Sequence, residues 1–351
     1  MKRIAVVPGD GIGPEVTRES VKVLEVLSGQ GLPLAWEEFD FNADRYLETG
    51  SALPPGGLEF LAEFDAVLVG AFGDPRIPDM AHGRQVLLGL RTGWDLYVNL
   101  RPALLLNPKL SPLAHTENAA VDLLIFRENT AGPYANAGGA VRMGTSEEVA
   151  VQESIETRGG VERLVRYAFQ SCRKSGRSPL TLVDKHNAMR FTGDLWFRTF
   201  RETARDFPQV ETEHFFVDAF CMELVRSPGR FRAVVTDNLF GDIASDVAAA
   251  MAGGPGMAPS VTLNPETGRA VFEPVHGSAP DIAGRGLSNP MASILSTGLM
   301  LEHLGFSREA GLVRDAVKWC LLEGKATRDA GGNLGTAGTG DCICERLLAE
   351  Y

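Results

Sequence analysis

Asp242 and Asp246 stand four residues apart in NLFGDIASD (Asn238 to Asp246), directly after the apolar run Ala233 to Thr236. On a helix that spacing puts both carboxylates on one face, with Cβ atoms about 5–6 Å apart. Like charges so close oppose the helix unless a cation lies between them, and a hard divalent ion such as magnesium or manganese prefers carboxylate oxygens. The plainer reading makes Asp242 an acid favoured by the helix dipole and Asp246 a solvated side chain. Arginine is the second resource. Arg91 in LLGLRTG, Arg101 in YVNLRPA and Arg127 in LIFRENT each lie among apolar or uncharged residues. Together they would cradle a di- or tricarboxylic acid through bidentate hydrogen bonds, while each alone serves equally well in a structural ion pair. Lys185 in VDKHN ends an apolar run, where partial desolvation would let it act as a base; a surface amine is the alternative. His186 beside it reads as a turn histidine.

Short β-rich runs must carry these residues: Arg3 to Val7, Ala66 to Gly70, Val121 to Phe126, Leu180 to Val183 and Ala233 to Thr236. They alternate with amphipathic stretches, the signature of an α/β protein with a largely buried sheet. Val16, Ser20, Val23, Leu24 and Leu27 fall on one helical stripe that opens at Pro14 and ends near Gly29 and Gly31. Val161, Leu164, Val165, Ala168, Phe169 and Cys172 form another, closed at Gly176. Gly9 to Pro14 lies between strand and helix, yet lacks the third glycine of a dinucleotide fingerprint, and a plain glycine turn fits it equally well. Its backbone N–H groups can still approach a ligand. Gly132 to Gly144 is glycine-rich and long enough for an arm or lid.

With 351 residues the chain is long for one core, which favours two lobes sharing an extended mixed sheet. Its 34 Lys and Arg against 45 Asp and Glu give a net charge of −11, the wrong sign for a nucleic-acid or anionic-membrane binder. No apolar stretch approaches the roughly 18 residues of a membrane span, and the start is too short for a signal-peptide core, so a cytoplasmic protein is expected. Five cysteines, an odd number, suit a reducing compartment. The six histidines form no cluster along the sequence, so no zinc site is expected.

Five segments carry a resemblance: PGDGIGPEV at Pro8 to Val16, NLRP at Asn99 to Pro102, RENT at Arg127 to Thr130, NLFGDIASD, and FEPVHGSAPDIAG at Phe272 to Gly284. In order and nearly end to end, they resemble the β-decarboxylating dehydrogenases, the family of isopropylmalate, isocitrate, homoisocitrate and tartrate or D-malate dehydrogenases. The resemblance implies the isopropylmalate dehydrogenase-like α/β fold, not a Rossmann fold, with 1–98 and 253–351 as a large cofactor-binding domain and 99–252 as a small domain carrying arm and dimer interface. It implies an NAD-dependent oxidation of a 2-hydroxy acid followed by loss of the carboxylate β to the new ketone. Asp242 and Asp246 become ligands of Mg2+ or Mn2+, joined by Asp218 of the partner subunit. Lys185 of the partner subunit takes the hydroxyl proton, Tyr134 helps protonate the enolate carbon, and Arg91, Arg101 and Arg127 hold carboxylates. The cofactor contacts are Ile12, Asn187 near the nicotinamide, His276, Gly277, Ser278, Ala279, Asp281 and Asn289. A carboxylate at 281 accepts hydrogen bonds from ribose hydroxyls and repels a 2′-phosphate, which favours NAD over NADP.

For the substrate, Leu87 and Leu88 stand where this family meets the group at C3. An apolar pair there offers nothing to a third carboxylate and implies oxidative decarboxylation of 3-isopropylmalate to 2-oxoisocaproate (4-methyl-2-oxopentanoate), a step of leucine biosynthesis, by a homodimer. Arg84 and the stretch RENTAGPYANAGG depart from that pattern toward D-malate or tartrate, the alternative substrates. A non-catalytic regulatory paralogue would have lost metal or base residues, which this chain keeps; a metal-dependent phosphohydrolase would need neither Lys185 nor Asp281.

Overall fold

The computed structural model describes residues 1–113 and 121–351. It divides into two compact units, the described residues 1–96, 104–113 and 249–351 in the first and 97–103 and 121–248 in the second. In the first unit five strands run β1 (Lys2–Gly9), β2 (Leu34–Glu38), β3 (Ala66–Ala71), β11 (Pro259–Asn264) and β12 (Arg269–Pro274), in the spatial order β2-β1-β3-β12-β11. β1 is parallel to β2 and β3, β12 is parallel to β3, and β11 is antiparallel to β12. This is neither the order nor the all-parallel direction of a dinucleotide-binding Rossmann half.

Ile4 to Val7 are buried on both faces of β1, as are all six residues of β3, which explains their unbroken apolar runs. The helix Gly13–Gly29 starts as expected with proline in its first turn and buries Val16, Ser20, Val23, Leu24 and Leu27. It packs with the helices Met291–His303 and Thr336–Glu350.

The second unit orders β4 (Val98–Leu104), β5 (Asp122–Glu128), β8 (Leu180–Asp184), β9 (Thr212–Phe216) and β10 (Ala233–Thr236) as β4-β5-β10-β8-β9, with parallel pairing from β5 through β9. In parallel sheets ligands gather at the carboxyl ends of strands. Arg127 is next to last in β5, Lys185 follows β8, and Asn238 opens a helix just after β10, so these residues are collected at the carboxyl ends of their strands. The helix Arg158–Ser175 buries the stripe from Val161 to Cys172 and stops at Gly176, which takes the left-handed conformation at φ 70°.

A separate ribbon, β6 (Gly138–Val141) antiparallel to β7 (Val149–Gln152), leaves all eight residues exposed, valines included. A bridge between Gly132 and Ile155 closes its base. Among the described residues no helix is long and apolar enough to cross a membrane.

Candidate active site

The helix Asn238–Met251 begins with the carboxylate pair foreseen from its spacing. Arg101 reaches both, its Nη1 lying 3.3 Å from Asp242 and 3.6 Å from Asp246, and donates to Ser245 Oγ at 2.8 Å. Arg127 is only 2% exposed. It donates twice to Asn238 Oδ1, at 3.0 and 2.7 Å, and once to Asp242. Two of the three foreseen arginines thus engage this carboxylate pair: Arg127 anchors Asp242, and Arg101 screens both. The third, Arg91, lies in the first unit with Glu273 Oε1 at 3.3 Å.

Asn238 also donates to the Ala131 carbonyl at 3.0 Å, tying the loop after β5 to the helix start. The stem of Arg127 crosses the helix so closely that a Cβ at Gly241 would lie 2.6 Å from its Cγ and 2.8 Å from its Cβ. Neither Asn238 nor Gly241 was singled out from sequence; both stood within the NLFGD motif without a role.

The donor set suits a hard cation. Asp246 binds its proton more tightly than an ordinary aspartate, first because of burial, with Asp242 adding repulsion and Arg101 opposing it. A divalent ion would relieve that repulsion. Tyr134 donates from Oη to Asp242 Oδ2 at 2.8 Å, and burial, then that carboxylate, hold its phenol above the ordinary range. It stays protonated, as a proton donor must. Lys185 forms an ion pair with Asp218 of its own chain. Asp218 is depressed by that contact, and its side chain is 67% exposed, so the pair is presented outward. Asn187 is exposed on the same turn.

Behind this face lie one buried acid, Glu128, and two half-buried ones, Asp237 and Glu156. Glu128 accepts hydrogen bonds from the backbone N–H groups of Thr130 and Ala131, and Asp237 Oδ1 accepts one from Phe240 N–H at 2.7 Å. Burial, with nearby Asp184 and Glu128, pushes Asp237 up to about 7. Burial, then Glu128 and Asp237, pushes Glu156 up to about 8.

In the first unit the loop after β12 carries the expected cofactor residues. Ile12 N–H donates to the Ser278 carbonyl at 2.8 Å. Gly11, at φ +57°, is required here: any Cβ would lie 2.1 Å from that carbonyl oxygen. Ala279 holds a positive φ of 38°, a strained conformation of the kind kept at ligand sites. His276 Nε2 is buried without a hydrogen-bond partner, while its Nδ1 lies 3.0 Å from the Gly277 carbonyl. An orphaned buried nitrogen costs about 1–3 kcal/mol unless a ligand satisfies it, so this loop fits a cofactor. Asp281 is exposed and Gly277 open. Asn289 is already occupied, donating to Asp329 at 3.0 Å and accepting from Met291 N–H at 3.0 Å. Glu15, which sequence reasoning passed over, accepts from Gly284 N–H and, at 3.1 Å, from Ser288 Oγ, fastening the far end of the loop.

Leu87 and Leu88 sit half-buried in a π-helical turn, Arg84–Leu88. Such turns are rare and concentrate at functional sites. Gln85 turns away to accept from Ala52 N–H at 2.9 Å, and Arg84 reaches Asp79 at 3.3 Å.

The family model described as isocitrate/isopropylmalate dehydrogenase matches residues 3–345. The chain belongs to that family. Among its relatives, the 3-isopropylmalate dehydrogenase of Thermobifida fusca is 47% identical over 99% of this chain and 98% of its own length. That of Streptomyces coelicolor is 46% identical over 94% and 96%. Of solved structures, isocitrate dehydrogenase from Methylococcus capsulatus is similar with a TM-score of 0.89 and 35% identity, covering 99% of this chain and 100% of that one. A β-decarboxylating dehydrogenase from Thermococcus kodakarensis reaches 0.80 at 34% identity, over 99% and 96%.

One sequence expectation needs correction within this family member. The histidines are scattered along the chain, yet His186 and His214 meet at Asp184, each with a ring nitrogen 2.9 Å from its carboxylate. Thirty residues separate Asp184 from His214, and the parallel pairing of β8 with β9 removes that distance.

Proposed function

We propose that this enzyme oxidatively decarboxylates 3-isopropylmalate with NAD and a divalent cation, as a homodimer with shared active sites. The observation that carries the substrate is the near full-length similarity, 45–47%, to 3-isopropylmalate dehydrogenases. The apolar Leu87-Leu88 turn supports it, since it supplies a surface for an isopropyl group and no cation for a third carboxylate. Arg91, Arg101 and Arg127 hold the substrate's carboxylates. Asp242 and Asp246, with Asp218 of the partner subunit, would hold Mg2+ or Mn2+. The ion supplies charge stabilisation at the reacting oxygen and the nicotinamide supplies the hydride acceptor.

Every other step falls to side chains. Lys185 of the partner subunit accepts the hydroxyl proton as hydride leaves the adjacent carbon, and Tyr134 returns a proton to the enolate carbon after carbon dioxide departs. Ile12, His276, Gly277, Ser278, Ala279 and Asp281 bind the cofactor, with Asn187 near the nicotinamide and Asn289 bracing the adenine side. Asp281 accepts from ribose hydroxyls and so selects NAD. The β6–β7 ribbon supports the dimer, because an isolated two-stranded ribbon with exposed valines gains stability only when another surface covers it.

The test is NADH formation with isopropylmalate, D-malate, tartrate, isocitrate and homoisocitrate. Three buried carbons at about 0.8 kcal/mol each favour isopropylmalate over malate by about 2.4 kcal/mol, roughly 50-fold in kcat/KM. Equal or better turnover of D-malate or tartrate would show the assignment wrong.

A further inference from the structure

Beyond the proposed reaction, we propose that Asp184, His186 and His214 form a separate binding site for a zinc-class metal ion, held by two imidazoles and one carboxylate. Among the described residues these three are a group of His, Cys, Asp or Glu whose ligand atoms all lie within 4.8 Å of one another. Their chemistry differs from that of the Asp242 and Asp246 pair. Two imidazoles and a carboxylate suit zinc, cobalt, nickel or iron(II), whereas magnesium takes oxygen ligands and keeps its waters.

The geometry is close to what such an ion needs. His186 Nδ1 lies 2.9 Å from Asp184 Oδ2 and His214 Nε2 lies 2.9 Å from Asp184 Oδ1, with no two ligand atoms more than 4.8 Å apart. Tetrahedral bonds of about 2.0–2.1 Å place neighbouring donor atoms about 3.3 Å apart, so the contacts must open by roughly 0.4 Å. A rotation of half-buried rings supplies that. Asp184 is 2% exposed, whereas the imidazole side chains are 29% and 26% exposed, which leaves an entry path and room for water as a further ligand.

The surroundings hold the donors in place. The two imidazole rings stack 5.0 Å apart, with Phe197 and Phe216 against both. A Cβ at Gly193 would lie 2.5 Å from His186 Cα, so the turn is pressed onto the helix Arg190–Ala204. Lys185 lies between two of the donors in sequence, and its Nζ pairs with Asp218.

Protein stripped with EDTA and returned to saturating magnesium is titrated with cobalt(II), and zinc is used to displace it. The expected result is one tight equivalent with strong visible absorption of low-coordinate cobalt, and imidazole ligands in the X-ray absorption spectrum of the wild type. His186→Ala and His214→Gln, checked for folding by circular dichroism, should each weaken binding at least tenfold, while Asp242→Asn leaves it unchanged. The proposal is overturned by a wild type that binds no cobalt beyond magnesium, the three residues then being a hydrogen-bonded cluster only. Equal binding in the histidine variants, or loss confined to Asp242→Asn, overturns it as well. None of these readouts depends on turnover, so the assigned reaction stands or falls separately.

Discussion

Tyr134→Phe separates two roles that one hydroxyl could play. The hydroxyl donates to Asp242 at 2.8 Å, and the tyrosine is 45% exposed. A hydrogen bond to a charged group at so open a site contributes about 1 kcal/mol, and its loss changes an equilibrium about fivefold. If Tyr134 only orients Asp242, the variant should therefore need about five times more magnesium and turn over nearly normally. Acid catalysis is larger, about 10²–10⁴. Because the proton is returned after hydride transfer, the variant should still form about one NADH per site in a rapid burst. Slow turnover, down at least a hundredfold, then follows. Rapid-mixing absorbance of NADH reads both phases. A variant with unchanged steady-state turnover, or one that loses the burst together with turnover, refutes the assignment of Tyr134 as the terminal proton donor.

Other outcomes follow from the same site. Asp242→Asn should fold normally and lose about 10²–10³ in kcat, with wild type in EDTA behaving alike; full activity in either removes the metal role. Lys185→Ala and Asp242→Asn proteins, each nearly inactive, should regain partial activity after subunit exchange, since one site per heterodimer then has both groups; exchange without recovery places both groups in one chain's own site. Glu156, ordinarily near 4.5 and here about 8, keeps its proton in the folded chain after the unfolded chain has lost it. Stability should therefore fall as pH rises from about 4.5 to 8 and stay low above. Glu156→Gln should remove that fall, gaining more than about 1 kcal/mol at pH 9 and little at pH 4.5, as thermal unfolding at the two pH values would show.

The parts of this fold readable from sequence were those fixed by local pattern. The runs Arg3 to Val7 and Ala233 to Thr236 lie within β1 and β10, and the stripe from Val161 to Cys172 ends at a left-handed Gly176 as expected. The spacing of Asp242 and Asp246 put both on one helix because periodicity is a local property. What escaped depends on distant pairing. Glu15 fastens Ser288 across 273 residues, and Asn238 holds Arg127 across 111. The π turn at Leu87 was hidden too, since RQVLL looks like ordinary helix and only the widened hydrogen-bond ring distinguishes it.

The close crossing of Arg127 over Gly241 binds two positions into one inheritance. Since a Cβ at 241 would meet the arginine stem at 2.6 Å, an alanine there displaces the guanidinium that helps seat Asp242, and a shorter residue at 127 takes from Asn238 and Asp242 the donor they share, leaving Asp242 to Tyr134 and Arg101. A change at either position therefore acts through the other, and the two should behave as one coupled unit rather than as independent sites.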